Sequence, residues 1–283
     1  MKHAVRLLAT GSAIAMAMTA SAVAADLAVP EIIETPVYEA PERVVHKMSG
    51  WYIRGDVGYA FTNTYEGALY ATPGGTNTLS GDLDASYSIG GGVGYQINSY
   101  LRTDLTVDYD FGSDFTGSTT GPCGGALAPA TCISTDTSSY TAWTVLANAY
   151  VELGTYVGIT PYIGAGIGGA YVHWDDLSNT ECVSTAPATC NPTVVHGGSS
   201  DWRFAYAVMA GLSYHVSKKL TVDLGYRYKR IRGGHQFGFA NNVGPGYDEG
   251  FTSHEVRAGL RYKFGGKHYK KHQVAYHPTP VYK

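Results

Sequence analysis

Residues 201–216 read DWRFAYAVMAGLSYHV, and this stretch decides the fold class. Large apolar side chains occupy alternate positions, and most of the positions between them are polar or small. The first set is Trp202, Phe204, Tyr206, Val208, Leu212 and Tyr214, and the second includes Arg203, Ser213 and His215. A period of two residues indicates a β-strand whose two faces meet different surroundings.

Seven other segments show the same alternation, so the sequence predicts eight strands. They are Trp51–Phe61, Leu83–Ile97, Tyr100–Phe111, Ser139–Leu153, Thr160–Trp174, Leu220–Ile231 and Thr252–Phe264. Each is long enough to cross a bilayer, because a tilted transmembrane strand needs only about 9 to 11 residues. An even number of strands is also what a bacterial single-chain outer-membrane barrel requires.

The connections between these segments alternate in length. Short links fall near 98–99, 154–158 and 217–219, whereas 62–82, 112–138, 175–200 and 232–251 are long. Short periplasmic turns and long extracellular loops are typical of outer-membrane barrels. We therefore predict an all-β, eight-stranded antiparallel transmembrane barrel over residues 51–264. A soluble β-sandwich or lipocalin-like barrel is the rival interpretation, in which the Trp, Tyr, Leu and Val face would be internal.

Composition agrees with many short strands and sets limits on partners. Hydrophobic residues make up 44% of the chain and charged residues 15%, with 36 Gly and 23 Tyr. Such Gly and Tyr richness is typical of β-barrels with aromatic girdles. The formal net charge of −3 is too small to indicate a nucleic-acid partner.

The two ends of the chain carry different signals. A basic start, an apolar run over 7–20 and small residues at 23–25 predict a removed signal peptide, residues 1–25, with a membrane-anchor helix as the rival. Residues 26–50 contain three prolines and are predicted to be a periplasmic linker. Residues 265–283 are rich in Lys and His and are predicted to be a solvated tail. Electrostatic attachment to the cell wall and a His-based metal site are the alternatives for this tail.

The polar strand faces carry equal numbers of acids and bases, which predicts a plugged, ion-paired lumen because an unpaired buried charge is costly. The eight acids are Asp56, Asp84, Asp104, Asp108, Asp110, Glu152, Asp223 and Glu255. The eight bases are Arg54, Arg102, Arg203, Arg227, Lys229, Arg257, Arg261 and Lys263. The predicted lumen network comprises Arg54, Asp56, Arg102, Asp104, Asp108, Glu152, Arg203, Asp223, Arg227, Glu255, Arg257 and Arg261.

The four cysteines lie in two of the long loops. Cys132 and Cys190 each end a copy of Ala-Pro-Ala-Thr-Cys, and Cys123 and Cys182 lie a few residues before them. Three pairings are possible. The repeated context favours two local disulfides, Cys123–Cys132 and Cys182–Cys190, each stabilising by ~2 to 3 kcal/mol in the chain-entropy model. A zinc site is the alternative, although no CxxC spacing supports it.

Four stretches carry a resemblance to a known family: residues 50–59, 160–168, 224–228 and 256–264. Through them the chain resembles OmpA-type eight-stranded barrels, and more closely the porin-like surface-antigen proteins of α-proteobacteria. The resemblance implies location in the outer membrane, with outer-membrane lipid, lipopolysaccharide and the barrel-insertion machinery as partners. Members of that family usually end on the last strand, whereas here Phe264 is followed by 19 residues.

The functional hypotheses belong to three classes. The first is a structural, surface-exposed protein that supports envelope integrity and presents disulfide-tied loops to a host surface, phage or peptidoglycan. The second is a narrow porin-like channel for small or apolar solutes. The third is a lipid A-modifying enzyme, for which His173 with Asp175, Asp176 and Ser178 is the only local cluster. Because sequence proximity alone does not establish a triad, we prefer to interpret that cluster as a strand end running into a polar loop. We therefore expect no catalytic residues, and no motif indicates a cofactor.

Overall fold

A computed structural model describes residues 49–72, 75–238 and 244–264. The predicted signal peptide, almost all of the predicted linker and the predicted tail lie outside the described residues. Within these ranges no helix has the length and apolar character needed to cross a membrane.

Fifteen strands and one short 3-10 turn, Gly125–Leu127, are described. In chain order the strands are β1 (Gly50–Tyr65), β2 (Ala68–Thr72), β3 (Gly75–Leu83), β4 (Ser86–Gln96), β5 (Leu101–Ser118), β6 (Thr120–Pro122), β7 (Thr131–Glu152), β8 (Ile159–Trp174), β9 (Leu177–Val183), β10 (Ala186–Cys190), β11 (Val194–His196), β12 (Ser200–His215), β13 (Leu220–Arg232), β14 (Gly244–Asp248) and β15 (Gly250–Phe264).

Eight of these strands close into a ring, which confirms the predicted fold. The order around the wall is β1, β4, β5, β7, β8, β12, β13 and β15, and every neighbouring pair is antiparallel. The last strand pairs with the first from Trp51 opposite Phe264 to Tyr65 opposite Phe251. Closure leaves this wall without a free edge, as strands in hydrocarbon require.

The large apolar side chains of the wall point outward. Trp202 is 65% exposed, Leu224 56% and Val208 54%. Outward aromatic pairs lie near both ends of the wall, with ring centroids 5.2 Å apart for Trp51–Tyr95 and 5.0 Å apart for Tyr59–Tyr87. A soluble barrel would bury these side chains, so their exposure excludes that interpretation.

The spacing of the outward aromatic residues matches the thickness of a membrane. Trp51 and Phe61 lie at opposite ends of the apolar face of β1. Ten residues of strand are roughly 33 Å long and span about 25 Å at a tilt of about 40°, the height of the apolar band in outer-membrane barrels.

The predicted segment Leu83–Ile97 is wrong at its beginning. Leu83 is buried and Asp84 is exposed, the reverse of the predicted lipid-facing and lumen-facing positions. The reason is a two-residue break at Asp84 and Ala85 between β3 and β4, which shifts the alternation by one position. The Asp84 carbonyl accepts hydrogen bonds from Asn63 Nδ2 at 2.6 Å and Ser113 Oγ at 2.7 Å, so the break is held in place.

The extracellular connections are more ordered than long loops. β5 continues to Ser118, β7 begins at Thr131, and β9 pairs with the extracellular part of β7. In β7 the outward residues include Thr135 and Thr137, and the inward ones include Ser134 and Asp136. Both faces of this part of β7 are therefore mostly polar, and no regular hydrophobic period marks it in the sequence. We call the part formed by β2, β3, β6, β9–β11, β14 and the extracellular ends of β5 and β7 the extracellular sheet.

Substituting an outward leucine tests the orientation of the wall. Leu105→Arg and Leu224→Arg should each destabilise the barrel by ~2 to 4 kcal/mol, because an arginine near the bilayer midplane must leave water. Denaturant titration of the protein folded in lipid vesicles measures this change. Thr116→Arg, on the exposed part of β5, is the control and should change the free energy of unfolding by less than about 0.5 kcal/mol. Equal effects of Leu105→Arg and Thr116→Arg would contradict the assignment of faces.

Candidate functional site

One continuous chain of alternating acids and bases fills the lumen. Each member lies within 4.0 Å of the next, in the order Asp223, Arg261, Glu152, Arg102, Asp104, Arg54, Asp56, Arg257, Asp108, Arg227, Glu255, Lys229 and Asp110. The structure thus brings together every member of the predicted lumen network except Arg203, and it adds Asp110 and Lys229. Strands on opposite sides of the barrel contribute to it, so all the pairs except Arg54–Asp56 and Arg102–Asp104 join residues that are far apart in the sequence.

Asp108 bridges two arginines of this ion-pair chain. Its carboxylate accepts hydrogen bonds from Arg227 Nη1 at 2.7 Å and from Arg257 Nη2 at 2.6 Å, and the residue is fully buried. Arg54 is shared similarly between Asp56 at 2.6 Å and Asp104 at 2.8 Å. Removing one partner of such a pair leaves an uncompensated buried charge. Because acids and bases alternate along the ion-pair chain, each of its charges has an opposite charge beside it.

Arg102 makes a closer contact with an aromatic ring than the other arginines of the ion-pair chain make in the described structure. It forms ion pairs with Glu152 at 3.1 Å and with Asp104 at 3.6 Å, and its guanidinium carbon lies 3.7 Å from the centroid of the Tyr150 ring. An arginine over an aromatic face gains a cation–π attraction, which is stronger away from water. The two ion pairs and the ring together compensate the buried charge of Arg102.

Glycines on the inner face make room for the carboxylates. A Cβ atom on Gly90 would lie 1.9 Å from Asp108 Oδ1, and one on Gly259 would lie 2.3 Å from Asp56 Oδ1. Real side chains do not approach so closely. Close packing therefore requires glycine at position 90, where any larger residue would displace Asp108.

Arg203 belongs to a separate ion-pair group nearer the extracellular side. Its Nη1 donates to both carboxylate oxygens of Asp248, at 2.9 and 2.7 Å, and its Nε donates to Asp201 at 2.8 Å. Asp248 ends β14, within a predicted loop, so the sequence pattern gave no reason to include it. The group ties the wall strand β12 to the last extracellular connection.

A buried aromatic cluster closes the extracellular half of the lumen. Trp174 has no exposed surface, and its indole lies among the rings of Tyr65, Phe115, Tyr140, Phe237 and Phe251. The ring centroids of Tyr140 and Phe251 are 4.7 Å apart. The predicted lumen network does not include this cluster, although the inward positions of Tyr140 and Trp174 in the alternating pattern were a signal for it. The lumen is thus blocked at two levels, by ions and then by aromatic rings.

The space left in the ion-pair region is small. A cavity of about 20 Å³ lies among Arg54, Tyr150, Tyr162, Met209 and Arg227. About 10 to 15 Å³ on this measure is enough for one water molecule. The cavity therefore accommodates a water molecule or two and offers no room for a solute.

Two disulfides lie side by side in the extracellular sheet. Cys123 is bonded to Cys132, with 4.9 Å between their Cα atoms, and Cys182 to Cys190, with 4.0 Å. Cys132 pairs with Val183 and its neighbour Ile133 pairs with Cys182, so adjacent rows of β7 and β9 carry the two bonds. Cys182 shares the outward face with Ile133, whereas the buried Cys132 lies on the inward face, so the two disulfides brace from both sides a sheet that two connections form jointly. Among the described residues no group of three or more His, Cys, Asp or Glu side chains is arranged to hold a metal ion.

Buried polar groups also hold this sheet together. The Asp136 carboxylate accepts hydrogen bonds from Ser134 Oγ, at 2.7 Å, and from Asn179 Nδ2, and Tyr70 Oη lies 2.7 Å from His196 Nε2. Burial raises the pKa of the Asp136 carboxyl above its usual value and lowers the pKa of the His196 imidazole. His196 is therefore neutral at pH 7, which suits its buried hydrogen bond with Tyr70.

The predicted His173 cluster is only partly assembled. His173 Nδ1 lies 2.6 Å from Ser200 Oγ, and Nε2 lies 3.5 Å from Asp175 Oδ1. Ser178 is instead opposite Val195, and Asp176 accepts a hydrogen bond from the Gly198 amide. The His173 and Asp175 side chains are 52% and 59% exposed, so water competes for both. This geometry fits polar pairing across two strand ends better than an activated nucleophile.

Neutralising the Asp108 carboxylate tests the ion-pair chain. Asp108→Asn should lower the free energy of unfolding by ~3 to 5 kcal/mol, because it leaves Arg227 and Arg257 buried beside a neutral amide. Asp114→Asn, an exposed position on the same strand, is the control and should cost less than about 0.5 kcal/mol. Urea unfolding of both variants in detergent micelles measures the difference. If both variants unfold at the same denaturant concentration, the carboxylate is not essential to the lumen.

Comparison with known proteins shows which family the chain matches and which proteins it is similar to. Residues 10–264 match the family described as outer membrane protein beta-barrel domain. An uncharacterized protein of Brucella suis biovar 1 is 38% identical over 275 residues, covering 86% of this chain and 93% of the relative. A Rickettsia conorii protein described as a candidate adhesin is 25% identical over 230 residues, 79% of each chain. The crystal structure of OprG from Pseudomonas aeruginosa covers 78% of this chain and 98% of its own, at 14% identity and a TM-score of 0.48.

The family match extends over most of the chain and over every strand of the wall. The Brucella relative is matched over nearly its whole length. Together with the closed ring and its outward apolar face, these findings confirm the predicted family and location. The chain belongs to the outer membrane protein beta-barrel domain family and is an eight-stranded barrel of the bacterial outer membrane.

Proposed function

We propose that this barrel is a non-catalytic surface protein that supports the envelope and presents the extracellular sheet to external partners. The observation that carries the proposal is the pair of neighbouring disulfides on β7 and β9, which brace a surface beyond the membrane. A recognition surface needs a rigid scaffold. The plugged wall beneath the sheet is such a scaffold.

The charge of the extracellular connections indicates the kind of partner. Residues 62–82, 112–138, 175–200 and 232–251 contain nine Asp and Glu residues but a single base, Arg232. Asp136 and Asp248 are buried and the other seven carboxylates are at least partly exposed, so this surface repels polyanions and attracts cationic protein surfaces. The sequence similarity to a candidate adhesin of Rickettsia conorii supports a role in contact with other cells.

The channel hypothesis has less support. A solute would have to displace both the ion-pair chain and the aromatic cluster around Trp174. The lipid A-modifying hypothesis also has little support. The His173 and Asp175 side chains are solvent-exposed, and the Asp175 carboxylate lies 3.5 Å from the imidazole. We therefore prefer a structural and recognition role to transport or catalysis.

Removing a disulfide tests recognition by the extracellular sheet. Bacteria that display the protein should attach to cultured host cells, and Cys182→Ser with Cys190→Ser should reduce this attachment several-fold. The reason is that the disulfide constrains the β9–β10 hairpin, and its loss removes ~2 to 3 kcal/mol of stabilisation. The control, Lys218→Gln in a periplasmic turn, should attach like the unaltered protein. Heat-modifiable gel migration verifies that each variant is folded. If bacteria that display the unaltered protein attach no better than bacteria that lack the barrel, the proposal is contradicted.

Conductance measurements test the plugged lumen. The full chain reconstituted in a planar bilayer should produce no steady current, because the ion-pair chain and the aromatic cluster around Trp174 fill the described lumen and the cavity beside Arg54 and Arg227 measures only about 20 Å³. Stable unitary currents from the unaltered protein would contradict the structural role and favour the channel.

A further inference from the structure

The outward face of β13 changes its chemistry along the strand. Inward residues such as Asp223, Arg227 and Lys229 are buried, so the even-numbered residues between them face outward. In order toward the extracellular side these are Val222, Leu224, Tyr226, Tyr228, Arg230 and Arg232. Aliphatic side chains thus give way to tyrosines and then to two arginines on one continuous outer surface.

The register of β13 places the two arginines at the depth of lipid head groups. Tyr226 lies opposite Val256, which lies opposite Tyr59 in the extracellular aromatic belt. Arg230 and Arg232 follow Tyr228 by two and four residues, which is roughly 5 and 10 Å further from the bilayer centre at a strand tilt of about 40°. Head groups occupy the layer directly outside the hydrocarbon. The arginines therefore lie beside that layer.

These two bases are isolated in an acidic surrounding. Arg232 is the one base among the residues of the four long connections, which also carry nine carboxylates. Across the described outer wall beyond the aromatic belt, Arg230 and Arg232 are the only Arg or Lys residues. A small positive site thus lies at the membrane surface, below a negatively charged extracellular sheet.

The two guanidinium groups differ in their existing contacts. Arg230 forms a bidentate ion pair with Glu66. Arg232 is exposed, its guanidinium carbon lies 5.7 Å from the ring centroid of Phe204, and it forms no ion pair with any carboxylate that the structure describes. Arg232 is thus a cation without a counter-ion, held against an outward aromatic ring. A planar guanidinium matches the oxygens of a phosphate group in a bidentate manner.

We propose that Arg230 and Arg232 form a binding site for the phosphate of an outer-leaflet glycolipid, the phosphorylated head group of lipopolysaccharide. The acyl chains of that lipid would lie along Leu224 and the neighbouring outward side chains, which brings the phosphate to the arginines. A free anion in solution lacks this contact and is repelled by the loop carboxylates. The site does not depend on what the extracellular sheet recognises.

Lipid retention by the folded full-length chain tests the site. Native mass spectrometry from detergent would compare lipid A carrying two phosphates with the same lipid A after dephosphorylation. We expect about a tenfold preference for the phosphorylated form, because the site has two bases and each base at the membrane surface increases the affinity roughly a few-fold. Arg230→Gln with Arg232→Gln should abolish the preference. Arg232→Gln alone, which breaks no described ion pair, is the second variant and should reduce it about threefold.

A matched control separates this site from general charge. Lys218→Gln with Lys219→Gln removes two exposed bases from the periplasmic turn and should leave the preference unchanged. An equal loss in this control, or an unchanged preference in the Arg232→Gln variant, would overturn the proposal. So would displacement of the lipid by an equal concentration of inorganic phosphate, because the site would then bind a soluble anion. Host-cell attachment is a separate readout, so failure here and failure of the proposed function are distinguishable.

A second substitution predicts the opposite change. Glu66→Gln removes the charge that neutralises Arg230 while keeping a hydrogen-bonding side chain of the same size. Retention of phosphorylated lipid A should therefore rise a few-fold, by roughly the factor that one additional free base contributes. A fall in retention would mean that Glu66 itself contributes to binding and would overturn the assignment to the arginines alone.

Discussion

Every backbone amide of the wall must be hydrogen-bonded within the protein, because hydrocarbon offers no partner for it. The ring of eight strands meets this requirement where β15 returns to pair with β1 along its whole length. Closure in turn fixes two faces for each strand, one toward lipid and one toward the lumen. The outward position of Leu224 and the inward position of Asp108 are both consequences of it.

A barrel of eight strands is only wide enough for its own side chains. A buried charge in such a lumen is costly unless an opposite charge lies beside it, and the alternating chain from Asp223 to Asp110 provides such a partner for each member. Gly90 and Gly259 leave the space into which two of the carboxylates fit. On the extracellular side the aromatic cluster around Trp174 replaces ions as the filling. The barrel is consequently a rigid support.

The same strands follow another rule once they leave the membrane. In the extracellular sheet water meets the outer surface, and Thr135 and Thr137 take the outward positions that large apolar residues hold in the wall. Stability here comes from disulfides and from buried polar groups such as Asp136 and His196. At the boundary, the outward face of β13 passes from tyrosines to Arg230 and Arg232, which suits contact with lipid head groups.

The sequence alone determined the strand number, the two faces and the local cysteine pairs, because a strand repeats every two residues and lipid demands a continuous apolar face. It also identified most of the lumen charges by their parity. Only the tertiary structure decided which charges meet, since Asp108 and Arg227 are far apart in the chain and adjacent only across the closed lumen. It likewise decided that Leu83 points inward, after the break at Asp84, and that polar loops continue as a sheet. The charge pairs could not be predicted because pairing across the closed ring is non-local in sequence. The extracellular sheet could not be predicted because strands with two polar faces carry no hydrophobic period.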